Sequence, residues 1–305
     1  MCEIVALTRC RDEPTRRGDQ SEVGDLRGLK GKTAVVFGAT SGIGAATARR
    51  LADEGCNVVL AGRRVSEGEA VAADIGGHGG QAVFFHCDIS VESDVEETVA
   101  QAIVRYGSLD LGVNNAAAIG PGSISDATGE QFETVFNTNV KGTIHCLKYE
   151  VRAMAEAGGA IVNVNSNGGF IPVLGNAVYG ASKRGVTGLT QSVAYEYGPA
   201  NIRVNEIAPG ATRTEMLEDW IRQASEDGIT IDDFAATNAL RRISDPWEQA
   251  AAIAFLLSDE AAFITGVTLP TDGGSVLVTR AVPTAGGTPP TLPGDLILAR
   301  RAKLE

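Results

Sequence analysis

The stretch VVFGATSGIGAATARR (Val35–Arg50) places three glycines, Gly38, Gly42 and Gly44, between a β-branched run and an alanine-rich one. TAVVF (Thr33–Phe37) reads as a short buried strand, and AATARRLADEG (Ala45–Gly55) reads as a helix whose apolar residues recur at helical spacing. A turn of residues without Cβ brings bare backbone within reach of a ligand, and the first N–H groups of the following helix have no partner. A phosphate at that point satisfies both features. Close strand–helix packing uses glycine in the same way, so the rest of the chain must decide between the two.

Downstream, strand-like runs alternate with helical patterns. NVVLA (Asn57–Ala61), QAVFFHC (Gln81–Cys87), LDLGVNN (Leu109–Asn115), AIVNVN (Ala160–Asn165), IRVNEI (Ile202–Ile207) and VTLPTD (Val267–Asp272) bring the strands to seven. VESDVEETVAQAIVRYG (Val91–Gly107) and the stretch from Gly129 to about Ala157 have helical period. Such alternation predicts an α/β, doubly wound (Rossmann-like) fold: one domain, a seven-stranded parallel sheet with helices on both faces, and a ligand at the carboxyl ends of the strands. Residues 29–278 form this domain, between a polar, flexible extension (1–28) and a Pro/Gly-rich tail (279–305) whose LILAR (Leu296–Arg300) is apolar enough to dock.

A chain of 305 residues, 44% hydrophobic, is long enough for one large core, and its net charge of −12 argues against nucleic acid or an anionic membrane as partner. The N-terminus lacks the apolar run of a signal peptide. The uncharged run Ala157–Ser182 carries four asparagines, a glycine pair and Pro172, which excludes a lipid-facing helix. Five cysteines without a CxxC pair read as reduced thiols, and the three histidines lack metal-ligand spacing, so no metal is expected. A small-molecule partner and a cytoplasmic location follow as expectations.

The chemistry concentrates between Ser166 and Lys183. In YGASK, Tyr179 and Lys183 are four residues apart and share a helix face, and the loop after AIVNVN brings the Ser166 hydroxyl to the same strand end. A free tyrosine ionises near pH ~10; an ammonium about 4 Å away, at an effective dielectric of ~20, supplies roughly the 4 kcal/mol needed to bring it to neutrality. Lys183 is therefore expected to tune Tyr179 or to hold a ribose hydroxyl, and Ser166 to hydrogen-bond a substrate oxygen.

Taken in order, these motifs resemble the short-chain dehydrogenases/reductases from about Lys30 to Val276. The glycine loop Gly38-Ala-Thr-Ser-Gly42-Ile-Gly44 resembles that family's cofactor loop, with Phe37 where the family usually has Thr. Asn114-Asn115-Ala116 resembles its NNAG, with Ala117 in place of Gly. Ser166, Tyr179, Lys183 and Asn139 of TNVKG match its catalytic positions, and Asn139 is the residue through which the family links Lys, by way of water, to a proton relay. Cofactor contacts are implied at Gly38, Thr40, Ser41, Gly42, Ile43 and Gly44. Others are implied at Asp88 and Ile89, at Asn115 and Ala116, at Tyr179 and Lys183, and at Pro209, Gly210, Thr212 and Thr214. Asp88 alone would also serve as a strand-end cap, and Thr214 as a helix cap.

The resemblance implies a nicotinamide-dependent enzyme that moves hydride between a carbonyl and a secondary alcohol with Tyr179 as general acid/base, assembled as a homotetramer or dimer. An epimerase or dehydratase using the same cofactor, or a dinucleotide sensor without turnover, is the alternative. NAD-preferring folds carry an acid about 20 residues beyond the glycines. Here that position is Gly62, followed by Arg63 and Arg64, so NADP(H) is expected, with Arg63 forked onto the 2′-phosphate. Residues 215–246 are expected to form a substrate lid, whose Met216, Leu217, Trp220, Ile221 and Phe234 either line the substrate or pack the lid down.

Overall fold

The computed structural model describes residues 26–277 apart from 121, 174 and 225–229. Its centre is a seven-stranded sheet in the order β3-β2-β1-β4-β5-β6-β7, with every neighbouring pair parallel. The strands are β1 (Thr33–Phe37), β2 (Asn57–Gly62), β3 (Gln81–His86), β4 (Leu111–Asn114), β5 (Gly159–Val164), β6 (Ile202–Pro209) and β7 (Thr268–Thr271). Chain order reverses beside β1, whose neighbours are β2 and β4. That crevice, at the carboxyl ends of β1 and β4, is where a doubly wound sheet takes its ligand.

Alternation within each strand builds the two cores. In β1, Ala34 and Val36 face α1 (Gly42–Asp53), α2 (Val65–Gly77) and α9 (Pro246–Leu257). Val35 and Phe37 face the layer of α3 (Glu92–Tyr106), α5 (Thr143–Met154) and α6 (Ala177–Tyr197). Both sides of the strand are buried, so a parallel sheet reads as a continuous apolar run.

The helical stretch expected from Gly129 to about Ala157 is interrupted. A capping box from Thr128 and Gln131 starts α4 (Gly129–Phe136), the chain winds as a π turn over Asn137–Gly142, and α5 continues from Thr143. A π turn is uncommon and often marks a functional position; this one holds Asn139.

Of the expected extension, residues 26–28 are docked. Leu26 N–H donates to Glu54 Oε2 at 2.8 Å, and Arg27 pairs with Glu260 at 2.7 Å. Leu29 next to them is fully buried. The rest of that extension, the tail 279–305 with LILAR, and Cys2 and Cys10 lie outside the described residues. Cys56, Cys87 and Cys146 are free and buried, and burial pushes the Cys56 thiol up to about 12. Among the described residues no helix is long and apolar enough to cross a membrane.

The α5/α6 side of the sheet changes character along the strands. Val35, Val59, Ile161 and Val204 make it apolar, but towards the carboxyl ends it presents Asn114, Asn163, Asn165 and Glu206, all buried. Glu150 of α5 reaches this polar band over Gly112, where a Cβ would stand 2.2 Å from its Oε1. Its Oε2 accepts from Asn114 Nδ2 at 3.0 Å. Burial pushes this carboxyl up to about 7 against the opposing Asn114 bond. A carboxyl held above its unfolded value opposes folding increasingly from about pH 4.5, and the penalty levels off above about pH 7. Glu150→Gln is therefore expected to raise stability at pH 8 by on the order of 3 kcal/mol and to change it little at pH 4.5. Urea melts at the two pH values measure this, and an equal effect at both would contradict it.

Candidate active site

Backbone proximity builds the cofactor end of the site. At Gly44, the third residue of α1, a Cβ would stand 2.1 Å from the Gly38 carbonyl oxygen, and at Gly38 (φ +82°) a Cβ would stand 2.6 Å from Ala116 N. The loop is thereby pressed between α1 and the end of β4. Asn115 Nδ2 donates to the Gly38 carbonyl at 2.7 Å, and the amides of Asn115 and Ala116 both donate to the Phe37 carbonyl at 3.0 Å. The Ser41 side chain does not cap α1, and the first turn, which contains Ile43, holds no acid. Those N–H groups and the positive end of the helix dipole are available to an anion. The residues present thus fit a dinucleotide pyrophosphate.

Two arginines follow β2, and they divide differently from the expectation. Arg63 is 73% exposed, with Nη1 3.9 Å from Asp88 Oδ2. Arg64 is the one at the loop: it donates to Thr40 Oγ1 at 3.2 and 3.0 Å, to Ser41 Oγ, and to Glu215 Oε2 at 2.6 Å. Gly62 is buried against Thr40, whose Cγ2 would stand 2.8 Å from a Cβ there. An aspartate at position 62 therefore displaces Thr40, and the arginines are the better handles on this end of the site.

The remaining expected contacts are arrayed along the same edge. Asp88 Oδ1 accepts from the Ser90 amide at 3.0 Å and the Ser90 hydroxyl at 2.7 Å; burial pushes its carboxyl up, but these bonds and Arg63 hold it below the ordinary value. Asp88 is thus a turn cap within reach of Arg63. Ile89 is buried, and its carbonyl accepts from His145 Nδ1 at 2.8 Å. Gly210, after Pro209, packs on Asp272. Thr212 bonds the Gly210 carbonyl and Ser244. Thr214 caps α7 (Glu215–Ala224) through Leu217 N at 3.3 Å, with its methyl against Gly42.

The proposed chemistry lies one strand further on. Ser166 follows β5, and Tyr179 and Lys183 stand a turn apart on α6. Gly168 brings the first two together: a Cβ there would be 3.3 Å from Ser166 Oγ and 3.6 Å from Tyr179 Cε1. Lys183 is buried, with Nζ donating to the Val164 carbonyl at 3.0 Å and lying 5.7 Å from the Tyr179 ring centroid. Burial pushes the Tyr179 phenol up, opposed by its bond with Ser166. Burial also brings Lys183 down to about 8, opposed by the Glu206 carboxylate. In the protein alone the phenol is therefore raised where a lowered one was expected, because desolvation is the larger effect.

Asn139 braces this helix. Its Oδ1 accepts from Ala118 N at 2.7 Å, and its Nδ2 donates to the Ala118 carbonyl at 2.9 Å and to Ser182 Oγ at 3.0 Å. Ser182 in turn donates to the Tyr179 carbonyl at 2.7 Å. The π turn thus ties the loop after β4 to α6 between Tyr179 and Lys183. Further along the chain, α7 and α8 (Ile231–Ala235) meet through an edge-on contact of Trp220 with Phe234, ring centroids 5.1 Å apart. Leu217 is buried and Met216 is exposed; the sequence left open whether these side chains line substrate or pack the segment down, and Leu217 and the ring pair do the packing.

A sheet with this crossover, a glycine loop at its switch point, and a Ser after β5 beside a Tyr and a Lys on α6 are the parts of a dinucleotide-binding oxidoreductase. The family model described as enoyl-(acyl carrier protein) reductase matches residues 38–276. A 2,5-dichloro-2,5-cyclohexadiene-1,4-diol dehydrogenase of Sphingobium indicum is 41% identical over 250 residues, 81% of this chain and 97% of that one. A trans-4-hydroxycyclohexanecarboxylate dehydrogenase of Sinomonas cyclohexanicum is 37% identical over 80% of this chain and 92% of its own. The crystal structure of levodione reductase superposes with a TM-score of 0.79 at 33% identity, covering 82% of this chain and 99% of that one. The chain belongs to the short-chain dehydrogenase/reductase family of NAD(P)-dependent oxidoreductases.

Proposed function

We propose that this enzyme interconverts a secondary alcohol and a ketone on a small ring compound, with Tyr179 as general acid/base and NADP(H) as the preferred cofactor. The observation that carries the proposal is the grouping of Tyr179 and Ser166 about Gly168, one turn from buried Lys183, on the sheet edge that also holds the glycine loop. When bound, the cofactor supplies or accepts hydride at its nicotinamide C4. In reduction, Tyr179 gives its proton to the carbonyl oxygen while the Ser166 hydroxyl donates a hydrogen bond to the same atom. Lys183 stabilises the phenolate left behind. Asn139 holds α6 in place through Ser182. In oxidation Tyr179 must first lose its proton, so that direction is expected to accelerate with rising pH.

The two dehydrogenase relatives act, by their names, on a cyclohexadiene diol and a hydroxycyclohexanecarboxylate. Ring alcohols and ketones of that size are therefore the substrates to try first. Met216 of α7 is the exposed apolar side chain of this segment. The NADP(H) preference rests on the absence of an acid at Gly62 and on Arg64, whose guanidinium faces the hydroxyls of Thr40 and Ser41. A 2′-phosphate at that point accepts charge-assisted bonds from it.

Cofactor absorbance, followed with cyclic alcohols and ketones, tests the activity. Tyr179→Phe is expected to lower kcat by about 10²- to 10⁴-fold while cofactor binding, read by fluorescence titration, changes little. Ser166→Ala should cost less. Near-normal turnover by Tyr179→Phe would exclude the mechanism. For the cofactor, Arg64→Ala is expected to lower kcat/KM with NADPH by roughly 10- to 100-fold, as loss of charge-assisted bonds implies, with little change for NADH. Arg63→Ala should do less. A wild-type preference for NADH would overturn the assignment.

A further inference from the structure

Lys183 is 3% exposed, yet the only atom bonded to its Nζ among the described residues is the Val164 carbonyl, 3.0 Å away. A backbone carbonyl does not balance a buried ammonium, so a counter-charge is required. The α6 face that carries Lys183 continues through Thr187 and Thr190, one and two turns on. Both hydroxyls are bonded to one carboxylate, that of Glu206 on β6: Thr187 Oγ1 to Oε1 at 2.8 Å and Thr190 Oγ1 to Oε2 at 3.2 Å. Asn165 Nδ2 donates to Oε2 at 2.8 Å and Thr268 Oγ1 to Oε1 at 2.6 Å. Glu206 is fully buried; Thr187, Asn165 and Thr268 donate to its carboxylate, and the single Thr190 hydroxyl proton is shared between it and the Val186 carbonyl, 2.9 Å away.

Register fixes the spacing. Glu206 pairs with Asn163 and Ile207 with Val164, the residue whose carbonyl Lys183 holds. The carboxylate and the ammonium are not in contact, but both lie within the β5–β6–α6 sandwich. The ionisable groups on this face are Tyr179 and Lys183 from α6, Glu206 from β6 and Glu150 from α5. Glu150 is reached through Asn114 and Asn163. His145 of α5 is turned to the Ile89 carbonyl. Strands β4, β5 and β7 contribute amides and a hydroxyl only. Apart from Glu206, the acid here is Glu150, which burial holds near neutrality.

We infer that Glu206 is the buried counter-ion of Lys183, a positioning residue that supports the lysine's charge through turnover while Thr187, Asn165 and Thr268 hold the Glu206 carboxylate in place. The direction of its effect agrees, since the carboxylate opposes the desolvation that brings Lys183 down. The inference rests on the reading of Lys183 as part of the reaction only for its kinetic consequence. The charge pairing itself is read from stability, so the two fail separately.

The test is a double-mutant cycle on the cofactor-free full chain: wild type, Glu206→Gln, Lys183→Met, and both. If Glu206 balances Lys183, Glu206→Gln lowers Tm in the wild-type background and raises it in the Lys183→Met background, where the carboxylate has nothing to balance. The two effects should differ by roughly 2–8 °C, the range a moderate pairwise coupling produces in a domain of this size. The same loss in both backgrounds would mean that Glu206 serves only its hydroxyl and amide partners, and the proposal would fall. Should Glu206→Gln alone not fold, a double variant that melts above Lys183→Met supports the pair, and one that also fails to fold overturns it. In the reduction direction, Glu206→Gln should move the alkaline limb of the kcat profile down by about one pH unit, with Glu206→Asp restoring much of it. An unmoved limb with uniformly lower kcat would contradict the role.

Discussion

A buried ammonium is the constraint on which this site turns. Lys183 is held in place by α6 and bonded to the Val164 carbonyl, and the strand ends beneath it are polar. The carboxyl halves of β4, β5 and β6 supply Asn114, Asn163, Asn165 and Glu206, while their amino halves are apolar like any parallel sheet. The division lets one helix do two things. Its carboxyl end, at Ala194, packs in the core, and its amino end presents Tyr179 and Lys183. Buried polar groups are costly unless bonded, and here many bond one another: Asn163 donates to Thr190, Asn165 to Glu206, and Asn114 to both Asn163 and Glu150. The active edge is therefore part of the structural interior.

The second constraint is backbone contact at the crevice beside β1. Gly44 and Gly38 leave α1 so close to the end of β1 that the helix N-terminus and the Asn115 amide share one small space. The cofactor end and the chemical end meet through the loop after β4, because Ala116 presses on Gly38 and Ala118 is bonded by Asn139. A shift of the π turn would thus be felt at both ends.

Much of this was legible from sequence, for a physical reason. Strands, the glycine turn and the Tyr179–Lys183 spacing are local patterns, and a parallel sheet writes its buried strands as unbroken apolar runs. All seven strands lie where TAVVF, NVVLA, IRVNEI and the others predict them. What was not legible depends on neighbours distant in sequence. Glu206 sits inside IRVNEI, where a lone carboxylate reads as an outward-facing residue; only the fold reveals that α6 covers that face. A signal was nevertheless present in the Asn163/Asn165 alternation and in Thr187 and Thr190 at helical spacing from Lys183. Arg64 rather than Arg63 meets the loop because β2 ends at Gly62, and α2 begins with Arg64 as its N-cap, a matter of one residue of chain direction. Lowering of the Tyr179 phenol was expected from a single charge pair, and burial, which local sequence does not report, outweighs it.

In the proposed reaction, hydride and proton arrive at one substrate from two sources, the cofactor and Tyr179. Reduction of a cyclic ketone with NADPH deuterated at the transferring C4 position, followed by mass spectrometry and proton NMR of the alcohol, tests it directly. One deuterium on the carbinol carbon is expected with the wild-type protein, and almost no product with Tyr179→Phe although the cofactor still binds. Cofactor binding by the wild type without labelled alcohol, or alcohol whose carbinol hydrogen comes from solvent, would contradict it.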